Sequence, residues 1–223
     1  MNKFKLSIYV LGILVSIVSL QSCLKDENSI ELRRPTALVT VRPQADGTFF
    51  LQLNDSVRLK PTNVKSSPFG TKEVRALVNY TNETNNNIHI NWIDSIRTKK
   101  SVKSLGTRND SIYGNDALEI VRDWVTIAED GYLTLRIRTR WGRTNAKHVI
   151  NLLTNVNPEN PYEVELRHDA KGNVGGNTGD VLIAFNLNDL PRQDNTSKVK
   201  IKLNWKSYSG NKSIEFDLKL RSQ

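Results

Sequence analysis

One cysteine, one methionine and three histidines are spread over 223 residues, and these scarcities exclude a good deal of chemistry. The lone Cys23 cannot close an intramolecular disulfide. His89, His148 and His168 stand at no metal-ligand spacing and have no thiol to join them, so no metal site is expected. His89 alternates with Ile88 and Ile90 and falls on the polar face of its strand. There is no Gly-Xaa-Ser-Xaa-Gly elbow and no phosphate-cradling glycine loop. The glycine cluster Gly175–Gly179 follows no strand-to-helix pattern and reads as a flexible loop. Adjacent acids such as Glu129-Asp130 sit in an evident turn, and turn chemistry accounts for them. With no cofactor motif and no catalytic constellation, the chain reads as a non-enzyme.

Long apolar runs are scarce as well. The uncharged stretch Leu6–Leu20 is too short for a spanning helix, which needs roughly 20 residues, and it follows the basic start Lys3-Phe4-Lys5, as a signal-peptide core does. In place of a small-residue cleavage site stands Leu20-Gln21-Ser22-Cys23, which resembles a bacterial lipobox. Cys23 is then the acylated first residue of the mature chain. Acyl chains contribute about 0.8 kcal/mol per buried CH₂, and more than one is needed for stable anchoring. Lys25-Asp26-Glu27, just behind the cysteine, is similar to the signal that exports lipoproteins to the outer face of the outer membrane in some anaerobic Gram-negative bacteria. The expected location is the outer membrane, lipid-anchored and surface-exposed.

Acidic residues are in deficit. The formal charge is +9, and it falls to +7 when Lys3 and Lys5 leave with the signal peptide. That sign favours anionic neighbours such as an acidic polysaccharide or an acidic protein. An exported, membrane-anchored chain makes nucleic acid a poor partner.

What is present in quantity is alternation of period two. The expected fold class is all-β, a small OB-like barrel followed by an antiparallel β-sandwich of seven to nine strands. The expected divisions are a signal peptide at 1–22, an acylated tether at 23–35, the barrel at 36–100, a linker at 101–114 and the sandwich at 115–223. "NDALEIVRD" is ambiguous, because Asp116 and Glu119 have the spacing of a helix cap. In the hairpin around Glu129-Asp130-Gly131, Leu133, Leu135, Ile137 and Trp141 fall on one face, and Arg136, Arg138 and Arg140 on the other. In the last hairpin Val199, Ile201, Leu203 and Trp205 alternate with Lys198, Lys200, Lys202 and Lys206. A Ser209-Gly210 turn there pairs Leu203 with Phe216 and Lys202 with Asp217.

Arg136, Arg138, Arg140, Lys198, Lys200 and Lys202 form the candidate anion-binding face. The alternative is a solvated face whose cations pair across strands with Glu215 and Asp217. Trp92, Trp124, Trp141 and Trp205 fall on or near apolar faces, which predicts core packing. A tryptophan left exposed beside a groove points to a glycan, and a flat apolar patch points to a protein partner.

"RALVNYT" (75–81), "INWIDSI" (90–96), "YGND" (113–116), "DWVTIAEDGYLTLRIRT" (123–139) and "NPENPYEVELRH" (157–168), with "ALV" at 37–39, together resemble the NigD-like lipoprotein family. The resemblance covers nearly the whole mature chain. It implies an N-terminal OB domain and a C-terminal β-sandwich. The family takes its name from a bacteriocin operon in which such a protein is a suspected immunity factor. No catalytic residues come with it. The functional expectation is an anchored, non-catalytic binding module for an unknown protein or peptide, with envelope glycan binding as the alternative.

Overall fold

Five strands close a barrel near the N-terminus: β1 (Ala37–Pro43), β2 (Phe49–Gln52), β3 (Arg58–Pro61), β4 (Val74–Asn82) and β5 (Asn87–Ser95). Their order is β1-β2-β3-β5-β4, with β4 returning to β1 and β3 running parallel to β5. The structure is a computed structural model and describes residues 31–192 and 198–221. The expected signal peptide and the candidate residues Cys23, Lys25, Asp26 and Glu27 lie outside the described residues.

Alternation builds the barrel core. Val39, Val41, Leu51, Leu59, Val78, Ile88 and Ile90 point inward, while His89 is exposed as its register requires. β1 breaks the alternation, with every residue from Ala37 to Val41 buried. Its outer face is covered by the second half of the chain. Leu38 packs there with Ile96, Tyr132 and Ala184, and from Thr36 onward the chain is a single compact unit.

The second half is a two-sheet sandwich. β6 (Arg97–Lys100), β7 (Val102–Lys103), the short helix α1 (Asn109–Tyr113), β8 (Glu119–Val121), β9 (Ile127–Glu129), β10 (Tyr132–Gly142), β11 (Val149–Thr154), β12 (Glu163–Asp169), β13 (Gly176–Asn186), β14 (Lys198–Ser207) and β15 (Gly210–Lys219) follow in order. One sheet runs β6-β13-β10-β8, with β9 also on β10; the other runs β15-β14-β12-β11-β7. The core between them holds Leu133, Leu135 and Ile137 from one sheet and Leu152, Leu166, Ile201 and Leu203 from the other.

Several local expectations change. The stretch expected as a linker at 101–114 contains β7 and α1. β6 pairs parallel with β13 and β7 parallel with β11, so the chain leaving the barrel adds one strand to each sheet. β12 and β14 are also parallel. In "NDALEIVRD" Glu119 opens strand β8 rather than capping a helix, and the helix lies just upstream. The glycine cluster is strand: Gly176–Gly179 pairs with Thr139–Gly142. In the last hairpin Leu203 faces Ile214 and Lys202 faces Glu215, two residues from the expected register. The two-residue loop is Tyr208-Ser209, and Gly210 beyond it takes φ of 109°.

A buried polar joint holds barrel and sandwich together. Arg75 of β4 is fully buried and donates to Thr40 Oγ1 at 3.0 Å, Thr134 Oγ1 at 3.3 Å and Glu129 Oε2 at 3.2 Å. Beside it, Asp130 accepts from Arg42 and, at 2.8 Å, from Arg221 near the C-terminus. Arg221 also donates to Glu73 at 2.6 Å, as does the Tyr132 hydroxyl at 2.6 Å. Asp130 and Gly131 take φ of 53° and 75°, the paired positive values of a tight two-residue hairpin turn. The joint fixes the start of β10, and β10 runs from there to the far end of the sandwich.

Candidate functional site

β10 and β13 are eleven residues each and outrun the core. Along β10 the inner-face row is Leu133, Leu135, Ile137, Thr139 and Trp141. The first three are fully buried, but Trp141 is 54% exposed. Opposite Ile137, Val181 of β13 is 44% exposed. The opposing sheet does not cover this end of the inner face, and the sandwich is open there.

The opening is a cleft of about 670 Å³. Trp141 and Val181 form one side. His148 and Ile150 come from the other sheet and the loop before it. Ile150 and Ile183 belong to the central core cluster and also line the cleft. A Cβ built on Gly179 would lie 2.3 Å from Trp141 Nε1, so the indole edge rests on bare backbone at that glycine. Covering a strand glycine in this way is a structural role for an aromatic, yet more than half of the side chain remains in solvent.

One buried side chain holds the loop that walls the cleft. Asn173 accepts at Oδ1 from the backbone N–H groups of Gly142, Arg143 and Thr144 at 3.0–3.2 Å. Its amide group donates to the carbonyls of Thr144 and Ala146, both at 3.2 Å. Five bonds to one asparagine leave little freedom to residues 142–146.

Two histidines stand behind that loop. His168 Nδ1 lies 3.2 Å from the Ala117 carbonyl oxygen, His168 Nε2 lies 2.9 Å from His148 Nδ1, and His148 Nε2 lies 3.1 Å from the Asn173 carbonyl oxygen. Carbonyls only accept, so each outer nitrogen carries a proton. Burial holds His168 below the ordinary histidine range despite the opposing pull of the Ala117 carbonyl. His168 is therefore held neutral, with its proton on Nδ1 toward the Ala117 carbonyl.

The sign of the pH effect on His168 follows. The unfolded chain protonates it near pH 6.5 and the folded chain resists, so its contribution to stability is complete above that pH and is lost as pH falls through the lowered folded value. Imidazole ¹⁵N spectra should show His168 keeping a single proton, on Nδ1, at a pH where a free imidazole already carries two; His168 titrating at the ordinary histidine value would contradict this.

The predicted anion-binding residues are not brought together. Arg136, Arg138 and Arg140 project from β10, and Lys198, Lys200 and Lys202 from β14 in the other sheet, each set on the side away from the shared core. Arg136 pairs with Asp123 at 2.8 Å and Asp180 at 2.7 Å, and Arg138 with Asp180 at 2.6 Å. The hydrogen bond from Arg138 leads in pulling the Asp180 carboxyl down to about 2. Arg140 lies over the Tyr208 ring. Lys200 pairs with Glu215 at 3.4 Å and Lys202 with Glu163 at 3.4 Å, and Lys198 sits opposite Lys219. Most of the ladder is thus paired on its own sheet. Among the tryptophans Trp205 is core, as predicted, but Trp124 and Trp141 are exposed.

Apart from Arg97, the residues lining the cleft, with the loop and the open end of β10, lie within residues 100–218, which match the sequence profile of the NigD-like C-terminal beta sandwich domain. Residues 38–96 match that of the NigD-like N-terminal OB domain. The chain belongs to the NigD-like family. A solved structure from Parabacteroides distasonis, provisionally described as a toxin-related protein, is 33% identical, with 82% of this chain and 92% of that one covered and a TM-score of 0.70. A NigD-like immunity protein from Bacteroides caccae shares the fold at 20% identity, with 82% and 96% covered and a TM-score of 0.59. A provisional lipoprotein from Bacteroides fragilis does so at 12% identity, with 83% and 97% covered and a TM-score of 0.52. No curated protein matches the chain. The match to both NigD-like profiles meets the sequence expectation of an OB-like barrel followed by a sandwich.

Proposed function

We propose that this NigD-like protein is a lipid-anchored, non-catalytic binding module of the outer membrane that captures a protein or peptide ligand in the cleft at Trp141. The observation that carries the reading is Trp141 itself, an inner-face aromatic left in solvent over a floor of core residues, Ile150 and Ile183. A large apolar group from a ligand would complete the core there, gaining about 1.5–3 kcal/mol for one fully buried side chain. An apolar cleft with a few polar groups at its rim is the usual form of a binding site.

Glycan binding is the second reading, and the exposed indole beside a cleft favours it. The floor favours a side chain instead. A sugar ring carries hydroxyls around its edge, and setting them against isoleucines without partners costs hydrogen bonds.

Cys23 as the lipid attachment point and Lys25-Asp26-Glu27 as the surface-export address complete the proposal. Protease added to intact cells should degrade the native protein and spare a variant with all three residues changed to alanine. Equal protection of both would place the module inside the envelope. The immunity role is supported by the family's name and by the shared fold of the Bacteroides caccae protein. If it holds, cells with the native chain survive a bacteriocin that kills cells with Trp141→Ala; equal survival would remove immunity from the proposal.

A further inference from the structure

The charges around the cleft narrow the class of ligand. Arg97 and Lys147 line it, both exposed, and Arg143 stands in the loop that walls it, between the lining residues Gly142 and Thr144, with its side chain against Gly175. Among the described residues none of the three has an acidic partner, whereas Arg136, Arg138, Lys200 and Lys202 on the outer faces do. The acid that does line the cleft, Asp180, is held by Arg136 and Arg138 on the far side of its strand. The rim is cationic and uncompensated, above a floor that is apolar.

Resting on the reading of the cleft as a binding site, we infer that its ligand is an acidic peptide segment that inserts one bulky apolar side chain between the sheets. Trp141, Val181, Ile150 and Ile183 receive the side chain. Arg97 comes from strand β6, and Arg143 and Lys147 from opposite ends of the loop between β10 and β11. Charges so dispersed suit several carboxylates spaced along a chain better than one acid group on a fatty acid. The opening of about 670 Å³ lies within the range of about 300–1,000 Å³ that encloses a compact ligand group.

The test is fluorescence anisotropy on the mature chain freed of its acylated Cys23, residues 24–223, at pH 7 and low salt. The probes are a labelled peptide Glu-Asp-Leu-Phe-Asp-Glu, its counterpart with every acid replaced by lysine, and labelled cellohexaose. The acidic peptide should bind. Trp141→Ala should weaken it about tenfold or more, as loss of an aromatic anchor does. Arg97→Gln with Lys147→Gln should weaken it several-fold, and salt should remove most of that difference. Val181→Glu, at an exposed position on the cleft wall, should abolish it, with urea unfolding of the variant confirming that it is folded. If the lysine peptide or cellohexaose binds as well with the same dependence on Trp141, or if the acidic peptide fails to bind the native chain, the assignment of ligand class is overturned while the cleft can remain a site. If the acidic peptide binds and Trp141→Ala leaves it unchanged, the cleft reading falls with it.

Discussion

Asp130→Ala should lower the unfolding free energy by about 3–5 kcal/mol, the cost of removing one partner from a buried ion pair. Asp130 is 4% exposed and joins three segments: its own hairpin, Arg42 of the barrel and Arg221 near the C-terminus. Alanine leaves both guanidinium groups short of an acceptor in a partly buried site. It also replaces a residue that tolerates φ of 53° with one that does not. Two further variants separate the effects. Asp130→Gly keeps the turn and loses the ion pairs, so it should remain strongly destabilised. Asp130→Asn keeps the size and the turn preference and should lose less than alanine does. Urea unfolding of the mature chain measures all three, and a loss below about 1 kcal/mol for Asp130→Ala would mean that the joint contributes no more than a surface pair.

Arg75→Met should cost a similar amount, about 3 kcal/mol or more by the same reasoning. The guanidinium is sealed between barrel and sandwich. Burial pulls its pKa down, and the charge of Glu129 opposes that pull. Methionine fills most of the volume but leaves Thr40, Thr134 and Glu129 without their donor. Burial already raises the Glu129 carboxyl in the native protein, with Arg75 opposing. Without Arg75 the raised value climbs further. A carboxyl whose folded value exceeds its unfolded one binds more protons when folded, so it favours folding as pH falls. The deficit of Arg75→Met should therefore shrink between pH 8 and pH 5. Adding Glu129→Gln should recover part of it at pH 8, where the unpaired charge is the cost. A deficit that does not change with pH would show that lost packing, rather than the stranded carboxylate, is the cause.

The sequence made the face assignments legible but not the burial. Alternation places Trp141 on the inner face with Leu133, Leu135 and Ile137, and it is there. Whether the opposite sheet reaches that far depends on strand length and splay, which period-two patterning does not encode. The same limit explains the last hairpin. A shift of two residues keeps apolar opposite apolar, so the pattern cannot choose between Leu203 facing Phe216 and Leu203 facing Ile214. Only the turn decides, and there Gly210 takes the positive φ just after the two loop residues rather than within them. β6 and β7 are short, polar and parallel-paired, and nothing local marks such edge strands. Nothing in its neighbours Val74 and Ala76 marks Arg75 as buried. Its burial comes from the sandwich closing over the barrel. His148 and His168 meet only because β11 and β12 are antiparallel neighbours, with His148 just ahead of β11. The basic ladders were visible as ladders, but their counter-charges, Asp123, Asp180 and Glu163, lie on other segments of the chain.

The central claim is that the open end of the sandwich is where the protein meets its ligand. Photo-cross-linking in living cells tests it most directly. Val181→p-benzoylphenylalanine places the reactive group at the cleft, and the same replacement at Lys219, on the edge strand of the other sheet, serves as the control. The account predicts a discrete cross-linked species from position 181 alone, lost when Trp141→Ala is added. The same species from both positions, or one from 181 that survives Trp141→Ala, would contradict it.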